Sequence, residues 1–391
     1  MLLVFASHFL EAYYDPFPLT RPHAFQLVTR IATPSFVLIS GVTLAVLFAR
    51  CRGGFAATRD RLVDRGLFLI LVGHPLFMVA NRYMESSWGD AIRVVFITDT
   101  IGAAVIVGAL VIARAGPRTR LLLGLGLLLA AWTTALAWSP PIPSTLWRVK
   151  DLLVGDGREP WLSYNFPPIP WLGLYFVASA AGGYLARAHE LGHDRTTALP
   201  LRLALVGAAA VAAALLLHLG TRALGGTAAF AGHVTTLALL GSPTHKLPPS
   251  PAYILCYGGL AVLMFAALLL VQRARLGRAF TNWVVLFGKN SLSAFLFQFY
   301  VYYLAVRVMP RPPEALLPVY FLATLILIRV SVKAWQRHDG NRLLTVGYPA
   351  LMRRLRQRAG APGDATPVAG AAAAITARAA SPDSHGPPPV W

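Results

Sequence analysis

His8 lies within an apolar run, Met1-Leu-Leu-Val-Phe-Ala-Ser-His8-Phe-Leu10, with Glu11 and Tyr13 just beyond it. An imidazole titrates near neutral pH. It can take a proton from a hydroxyl or amine nucleophile, or carry an acyl group itself. His23 follows in a short loop rich in proline and aromatic residues. Arg30 comes just before Thr33 and Pro34. Its guanidinium can pair with Glu11 or Asp15, or hold a phosphate or carboxylate through two parallel hydrogen bonds. Asp99, in Phe96-Ile-Thr-Asp99-Thr-Ile-Gly102, is a carboxylate inside an apolar stretch, where it must face water or a partner. It can orient a catalytic histidine, as carboxylates do in hydrolytic triads. Plainer roles stand beside these. His8 can anchor a helix end, His23 can be a solvated loop residue, Arg30 can tie down its loop, and Asp99 can pair with Arg93 or cap a helix.

Further candidates lie downstream. Lys246 precedes two adjacent prolines in Pro243-Thr-His-Lys246-Leu-Pro-Pro-Ser250-Pro-Ala-Tyr253. The prolines fix an extended approach to the following helix. The lysine can meet an anionic ligand or snorkel to lipid headgroups. Asn290 and Gln298 sit in an apolar stretch with Gly288, Ser291 and Ser293. Small residues there point to close helix packing, and Gln298 needs a hydrogen-bond partner. His74 is followed by Pro75, which suggests a kink. His218 ends an alanine-rich stretch and reads as packed. His189 and His193 are spaced i, i+4 without an intervening glutamate, so no metal site is expected. No phosphate-cradling glycine motif and no Gly-x-Ser-x-Gly elbow is present.

The elements that must position these groups follow from composition. Of 391 residues, 56% are hydrophobic and 13% charged. Soluble domains carry about a quarter charged residues, so this is an all-α integral membrane protein. A helix needs about 20 apolar residues to cross the hydrocarbon core. About ten stretches qualify, at 1–13, 33–50, 65–81, 94–114, 120–138, 169–187, 199–220, 252–272, 283–306 and 315–335. The first covers roughly 20 Å and is short of the core, so the expectation is a truncated helix whose true start lies upstream. No cleavable signal peptide is apparent.

Arginines mark alternate connections: Arg50 to Arg65, Arg114 to Arg120, Arg187 to Arg202, Arg273 to Arg278, and the residues after Arg337. The positive-inside rule then places both termini in the cytoplasm. The long loops 14–32, 139–168 and 221–251 face outside. The net charge of +19 is spread over short loops and the tail, which excludes nucleic-acid binding as a main role. Cys51 and Cys256 are far apart and read as buried small residues. Residues 1–338 form the membrane domain. Residues 339–391 form a basic and then Ala/Gly/Pro-rich tail expected to be disordered.

The order of motifs carries a resemblance. A first helix with a histidine is followed by a loop with an arginine, then Ala-Thr-Pro-Ser-Phe-Val-Leu-Ile-Ser-Gly (32–41) and Asp-Thr-Ile-Gly (99–102). Pro-Ile-Pro-Trp171-Leu-Gly-Leu, Lys246-Leu-Pro-Pro-Ser250 and Gly-Lys-Asn290-Ser-Leu open later helices. Over about residues 1–335 the chain resembles the bacterial heparan-α-glucosaminide N-acetyltransferase-like proteins, within the superfamily of polytopic membrane acyltransferases. The resemblance implies transfer of an acyl group, commonly acetyl from acetyl-CoA, to a sugar or glycan hydroxyl or amine. It implies a bacterial inner-membrane location, no permanently bound cofactor, and lipid and a glycan acceptor as partners, with a homodimer admissible. It places the catalytic histidine at His8 or His23. Asp99 and Arg30 would orient the imidazole and offset charge. Lys246, Asn290, Gln298 and Trp171 would contact ligand, and Arg61 and Arg65 would meet CoA phosphates from the cytoplasmic side. Two departures are visible. The acidic and Arg-Gly segment ahead of the first helix is absent, and Gln298 stands where relatives often have histidine, which leaves room for another acceptor or for no activity. A secondary transporter or flippase of a sugar- or lipid-linked substrate is the rival reading. It predicts an inverted repeat and broken helices, and no clear repeat is seen.

Overall fold

The computed structural model describes residues 1–13, 29–51, 54–81, 87–155, 161–162, 164–190, 198–229, 234–246, 248–274, 277–304 and 313–358. His23 and the tail from 359 onward lie outside the described residues. The described residues are mostly helical. In order it forms α1 (Leu2–Tyr13), α2 (Ala32–Arg50), α3 (Ala56–Phe68), α4 (His74–Asn81), α5 (Trp88–Ile92), β1 (Val94–Val95), α6 (Ile97–Val111), α7 (Pro117–Ala137) and α8 (Thr145–Leu153). Then come β2 (Tyr164–Asn165), α9 (Pro168–Glu190), α10 (Ala198–Gly225), α11 (Val234–Gly241), α12 (Pro251–Arg273), α13 (Arg278–Lys289), α14 (Ser291–Phe299), α15 (Leu317–Arg337) and α16 (Tyr348–Arg358). The two short strands pair in parallel, Val94 with Tyr164 and Val95 with Asn165.

Among the described residues, seven helical stretches are long and apolar enough to cross a membrane: Ala32–Arg50, Ala56–Ala80, Pro117–Ala137, Pro168–Ala188, Ala198–Gly225, Pro251–Arg273 and Leu317–Arg337. The fold is thus an all-α, multi-pass bundle. Length alone does not reach ten. The eighth candidate is a pair, Thr281–Lys289 and Ser291–Leu304, bent by 87° at Asn290. The remaining two, α1 and α6, have 12 and 15 residues. At about 1.5 Å per residue these cover roughly 18 and 22 Å, short of a core about 30 Å thick. The stretch read as 94–114 is shortened because Val94 and Val95 are spent on the strand pair and the helix starts only at Ile97.

Small residues set the packing. In α6, a Cβ on Gly102 would strike the Gly66 carbonyl and crowd Leu69 and Ile70, while one on Gly66 would strike Ile106. α6 therefore runs antiparallel against α3, backbone to backbone, and its first turn reaches α4. Gly207 of α10 and Gly259 of α12 face each other in the same way, each 2.7–2.8 Å from the other's carbonyl if given a Cβ. In lipid, such close approach supplies the van der Waals contact that apolar burial supplies in water. The outer helices keep large apolar residues exposed, among them Leu122, Leu129 and Leu216. Only 11% of the apolar window of α10 is buried, as lipid contact requires.

Two buried clusters result. One joins α1, α4, α14 and α15 through Phe5, Phe9, Phe77, Phe96, Phe295, Phe299 and Ile328. The other joins α2, α6, α7, α9 and α12 through Leu44, Trp171, Tyr175, Tyr253 and Tyr257. Ile97, the first residue of α6, packs on both. Residues 339–346 belong with the bundle, because buried Asp64 accepts from Thr345 Oγ1 at 2.5 Å and Val346 N–H at 3.1 Å. The chain divides after Val346, and Gly347–Trp391 is a separate unit.

Candidate functional site

Four helix N-termini meet at one end of the bundle: α2, α6, α9 and α12. Side-chain bonds tie them together. Tyr253 Oη, in the first turn of α12, donates to the Arg30 carbonyl at 3.1 Å, just before α2. Thr100 Oγ1, in the first turn of α6, donates to the Phe166 carbonyl at 2.5 Å, just before α9. Phe166 N–H donates to the Val95 carbonyl at 3.1 Å. Trp171 and Tyr253 meet edge to face at 6.3 Å. The proline approach to α12 works as expected: Ser250 is extended, ψ 158°, and its hydroxyl accepts from Tyr253 N–H at 2.9 Å. Helix N-termini carry partial positive charge and free N–H groups, so their convergence favours an anion or a developing negative charge.

Two cations reinforce that field. Lys246 places Nζ 4.8 Å over the Phe166 ring and acts electrostatically on His8. The Arg30 guanidinium bonds to the Tyr257 hydroxyl, and its Nη1 is buried without a partner.

His8 faces this end from α1. Its Nδ1 lies 3.0 Å from Gln298 Nε2. Its ring sits among Phe295, Phe299 and Tyr303, at centroid distances of 5.7, 5.0 and 6.2 Å. Gln298 is 0% exposed, and its Oε1 has no partner. The two orientations of the amide are alternatives set by hydrogen bonding. With Oε1 turned to His8, the ring would donate from Nδ1 and hold a lone pair on Nε2, the tautomer a general base needs.

Asp99 does not hold His8. Its Oδ2 accepts from Phe96 N–H at 2.8 Å, capping α6, and lies 2.8 Å from His74 Nδ1. The imidazole oriented by this carboxylate is therefore His74, which sequence reasoning set aside as the neighbour of a kink. The geometry arises from Pro75, which lacks the N–H of a regular turn and whose ring would clash with the carbonyl four residues back. The chain answers with a π-type turn over Leu69–Gly73 directly before His74. The wider turn shifts the register of α4 relative to α3, and such turns recur at functional sites. A signal did exist in the sequence: two consecutive apolar stretches each carry one ionisable group away from their terminal residues, His74 and Asp99, and in lipid such groups pair. A similar π-type turn, Tyr300–Leu304, ends α14, and Tyr300 Oη donates to the Leu76 carbonyl at 3.0 Å. Rings form a wall between the two histidines: His74 to Phe96 at 5.5 Å, Phe96 to Phe299 at 6.1 Å, Phe299 to His8 at 5.0 Å.

Among the described residues, ten buried side-chain polar atoms lack a hydrogen-bond partner, and six belong to this end: Arg30 Nη1, Thr98 Oγ1, Asp99 Oδ1, Trp171 Nε1, His245 Nε2 and Gln298 Oε1. Native interiors leave few such atoms, so their clustering singles out this end as the candidate site. His245 lies beside Trp132 and Pro249 at a cavity of ≈ 30 Å³, room for a water. Burial lowers its pKa below the ordinary 6.5.

The other expected ligand contacts fall elsewhere. Asn290 terminates α13, donates to the Leu286 carbonyl at 2.9 Å, and accepts from Asn341 Nδ2 at 3.2 Å. It joins the break in that span to the 340–343 turn, about 12 Å along the helix from Gln298. Arg61 and Arg65 are exposed on α3, one to two dozen ångströms from His74, at about 1.5 Å per residue. The site thus unites His8, Arg30, Asp99, Trp171, Lys246 and Gln298, adds His74, and omits Asn290, Arg61 and Arg65. Among the described residues no three His, Cys, Asp or Glu side chains converge as a metal site. No protein-family model, curated protein or solved structure gives a significant match to the chain.

Proposed function

We propose that this protein is a membrane acyltransferase that moves an acyl group, acetyl in the first instance, from acyl-CoA to a hydroxyl or amine of a sugar or glycan. The observation that carries the reading is His8, held by Gln298 within electrostatic reach of Lys246, in a bundle where the N-termini of α2, α6, α9 and α12 converge with Arg30 and Lys246. Acyl transfer needs that combination. A base must take the proton of the nucleophile, and fixed positive potential must meet the oxyanion that forms on the thioester carbonyl.

In this reading the acceptor O–H or N–H gives its proton to His8 Nε2 as the heteroatom attacks the thioester carbon. Negative charge then grows on the carbonyl oxygen and is met by Lys246, Arg30 and backbone N–H groups. The intermediate collapses, the C–S bond breaks, and the imidazolium returns its proton to the departing thiolate. Gln298 holds the ring. His74 with Asp99 supplies a second oriented imidazole across the Phe96–Phe299 wall. With α1 and α6 as short passes inside the bundle, the chain crosses ten times. Both termini then lie in the cytoplasm of a bacterial inner membrane, and His8 sits at the outer side.

The test is purified protein with labelled acetyl-CoA and a panel of glycan acceptors, alongside His8→Ala, His23→Ala and His74→Ala. Transfer lost in His8→Ala with CoA binding retained supports the reading. Absence of both transfer and CoA binding in the unaltered protein overturns it. The 87° break at Asn290 favours one rival, a transporter or flippase, because broken helices line transport sites. Uptake or flipping of a sugar-linked substrate in vesicles, without acyl transfer, would establish that rival.

A further inference from the structure

The unit that begins at Gly347 opens with a turn, φ 84° at Gly347, and continues as α16, whose sequence is Tyr-Pro-Ala-Leu-Met-Arg-Arg-Leu-Arg-Gln-Arg. At about 100° per residue, Tyr348, Leu351, Met352 and Leu355 fall within one arc roughly 100° wide. Arg353 and Arg354 lie on the far side, and Arg356 and Arg358 fall on the two borders of the apolar arc. The helix carries four arginines and no acidic residue. None of its residues is buried, and Leu351 and Leu355 are 54% and 47% exposed.

A helix of eleven residues is marginal in water by itself. It gains stability from a surface that accepts both a narrow apolar stripe and the cations beside it. A bilayer interface does this: the stripe enters the acyl boundary while border arginines extend to phosphates. Nucleic acid would use the charge and leave the stripe in water. A globular partner would have to bury the stripe between two cationic borders. The tether decides further. Ten residues, 338–347, separate the end of α15 at Arg337 from α16. Fully extended they span at most about 35 Å, so the helix stays near the interface at high effective concentration. We propose that α16 docks in the plane of the membrane on anionic phospholipid headgroups.

Trypsin provides the test, because the four arginines of α16 are its cleavage sites. The full-length protein is reconstituted in nanodiscs of phosphatidylcholine alone or with phosphatidylglycerol, and cleavage within α16 is followed by intact mass. Cleavage at Arg378, further along the chain, reports general access. The expected result is cleavage slowed about tenfold or more by the anionic lipid, relieved by added salt. Leu355→Glu keeps every cleavage site and should abolish the protection. Equal rates in both nanodiscs overturn the proposal. Equal protection in phosphatidylcholine and in detergent also overturns it, since the helix would then be covered by protein.

Discussion

Among the described residues, the two ends of the bundle differ in how many of their buried polar groups find partners. Near the start of α3, buried Asp60 is met by Arg59 at 3.1 Å, and buried Asp64 holds Thr345 and Val346. Asn290, Asn341 and Trp335 form a short chain of hydrogen bonds. Arg120 Nη1 donates to the Ser179 carbonyl and hydroxyl, although its Nε lacks a partner. At the histidine end, six buried polar atoms are left without partners around His8, His74, Arg30 and Lys246. Buried polar groups cost free energy unless bonded, so a protein tolerates a cluster of bare ones where something else completes them. The first end is a fastening, and the second is the end where we propose that substrate binds.

Substitutions can break that division, and the largest effect is expected at His8. His8→Ala should reduce acyl transfer by about a hundredfold or more, with the fold intact by circular dichroism and CoA binding retained. Unchanged turnover would remove His8 from the chemistry. Asp99→Asn comes next. It takes the carboxylate from His74 and weakens the cap of α6, with an expected ten- to hundredfold loss of turnover, roughly as for a misoriented base, and about 1 kcal/mol of stability. If His74→Ala and Asp99→Asn lower only stability, that pair is a structural tie.

Asp64→Ala probes the fastening. It strands the Thr345 hydroxyl and the Val346 amide, and should cost about 1–3 kcal/mol in detergent unfolding. Turnover per folded molecule should stay the same; a loss of turnover at full folding would erase the contrast between the ends. The smallest effect is at His245. Because burial lowers its pKa in the folded state, the unfolded chain binds the proton first as pH falls through 6.5. Stability present above that pH should decline on acidification below it, and His245→Phe should flatten the decline.

Much of the fold is legible in the apolar runs. All seven long spans coincide with stretches read from sequence, because about 20 apolar residues in lipid have few alternatives to a helix. The three other stretches depart in different ways: 1–13 is helical almost throughout but short, 94–114 is longer than its helix, and 283–306 is broken. A strand pair formed with residues 70 positions away shortens α6, and at the break Asn290 accepts from Asn341, 51 positions away. For the site, residue type was informative and partnership was not. Arg30, Asp99, Trp171, Lys246 and Gln298 stood out as polar or aromatic groups at helix starts and within apolar stretches. That Asp99 serves His74 could be suspected from their paired depth. That Gln298 serves His8 could not, since they lie 290 positions apart.

The sequence by itself determined that this is a multi-pass membrane protein, where most helices run, and that the adjacent prolines give an extended entry to α12. These are local consequences of hydropathy and fixed φ. Only the tertiary structure decided which groups share a site. It paired His74 with Asp99 through a π-type turn, gathered four helix N-termini around Arg30 and Lys246, and sent Asn290, Arg61 and Arg65 elsewhere. The reason is that helix packing in lipid is set by close contact between small residues distant in the chain, such as Gly66 with Gly102. Their registers fix every side chain at the ends.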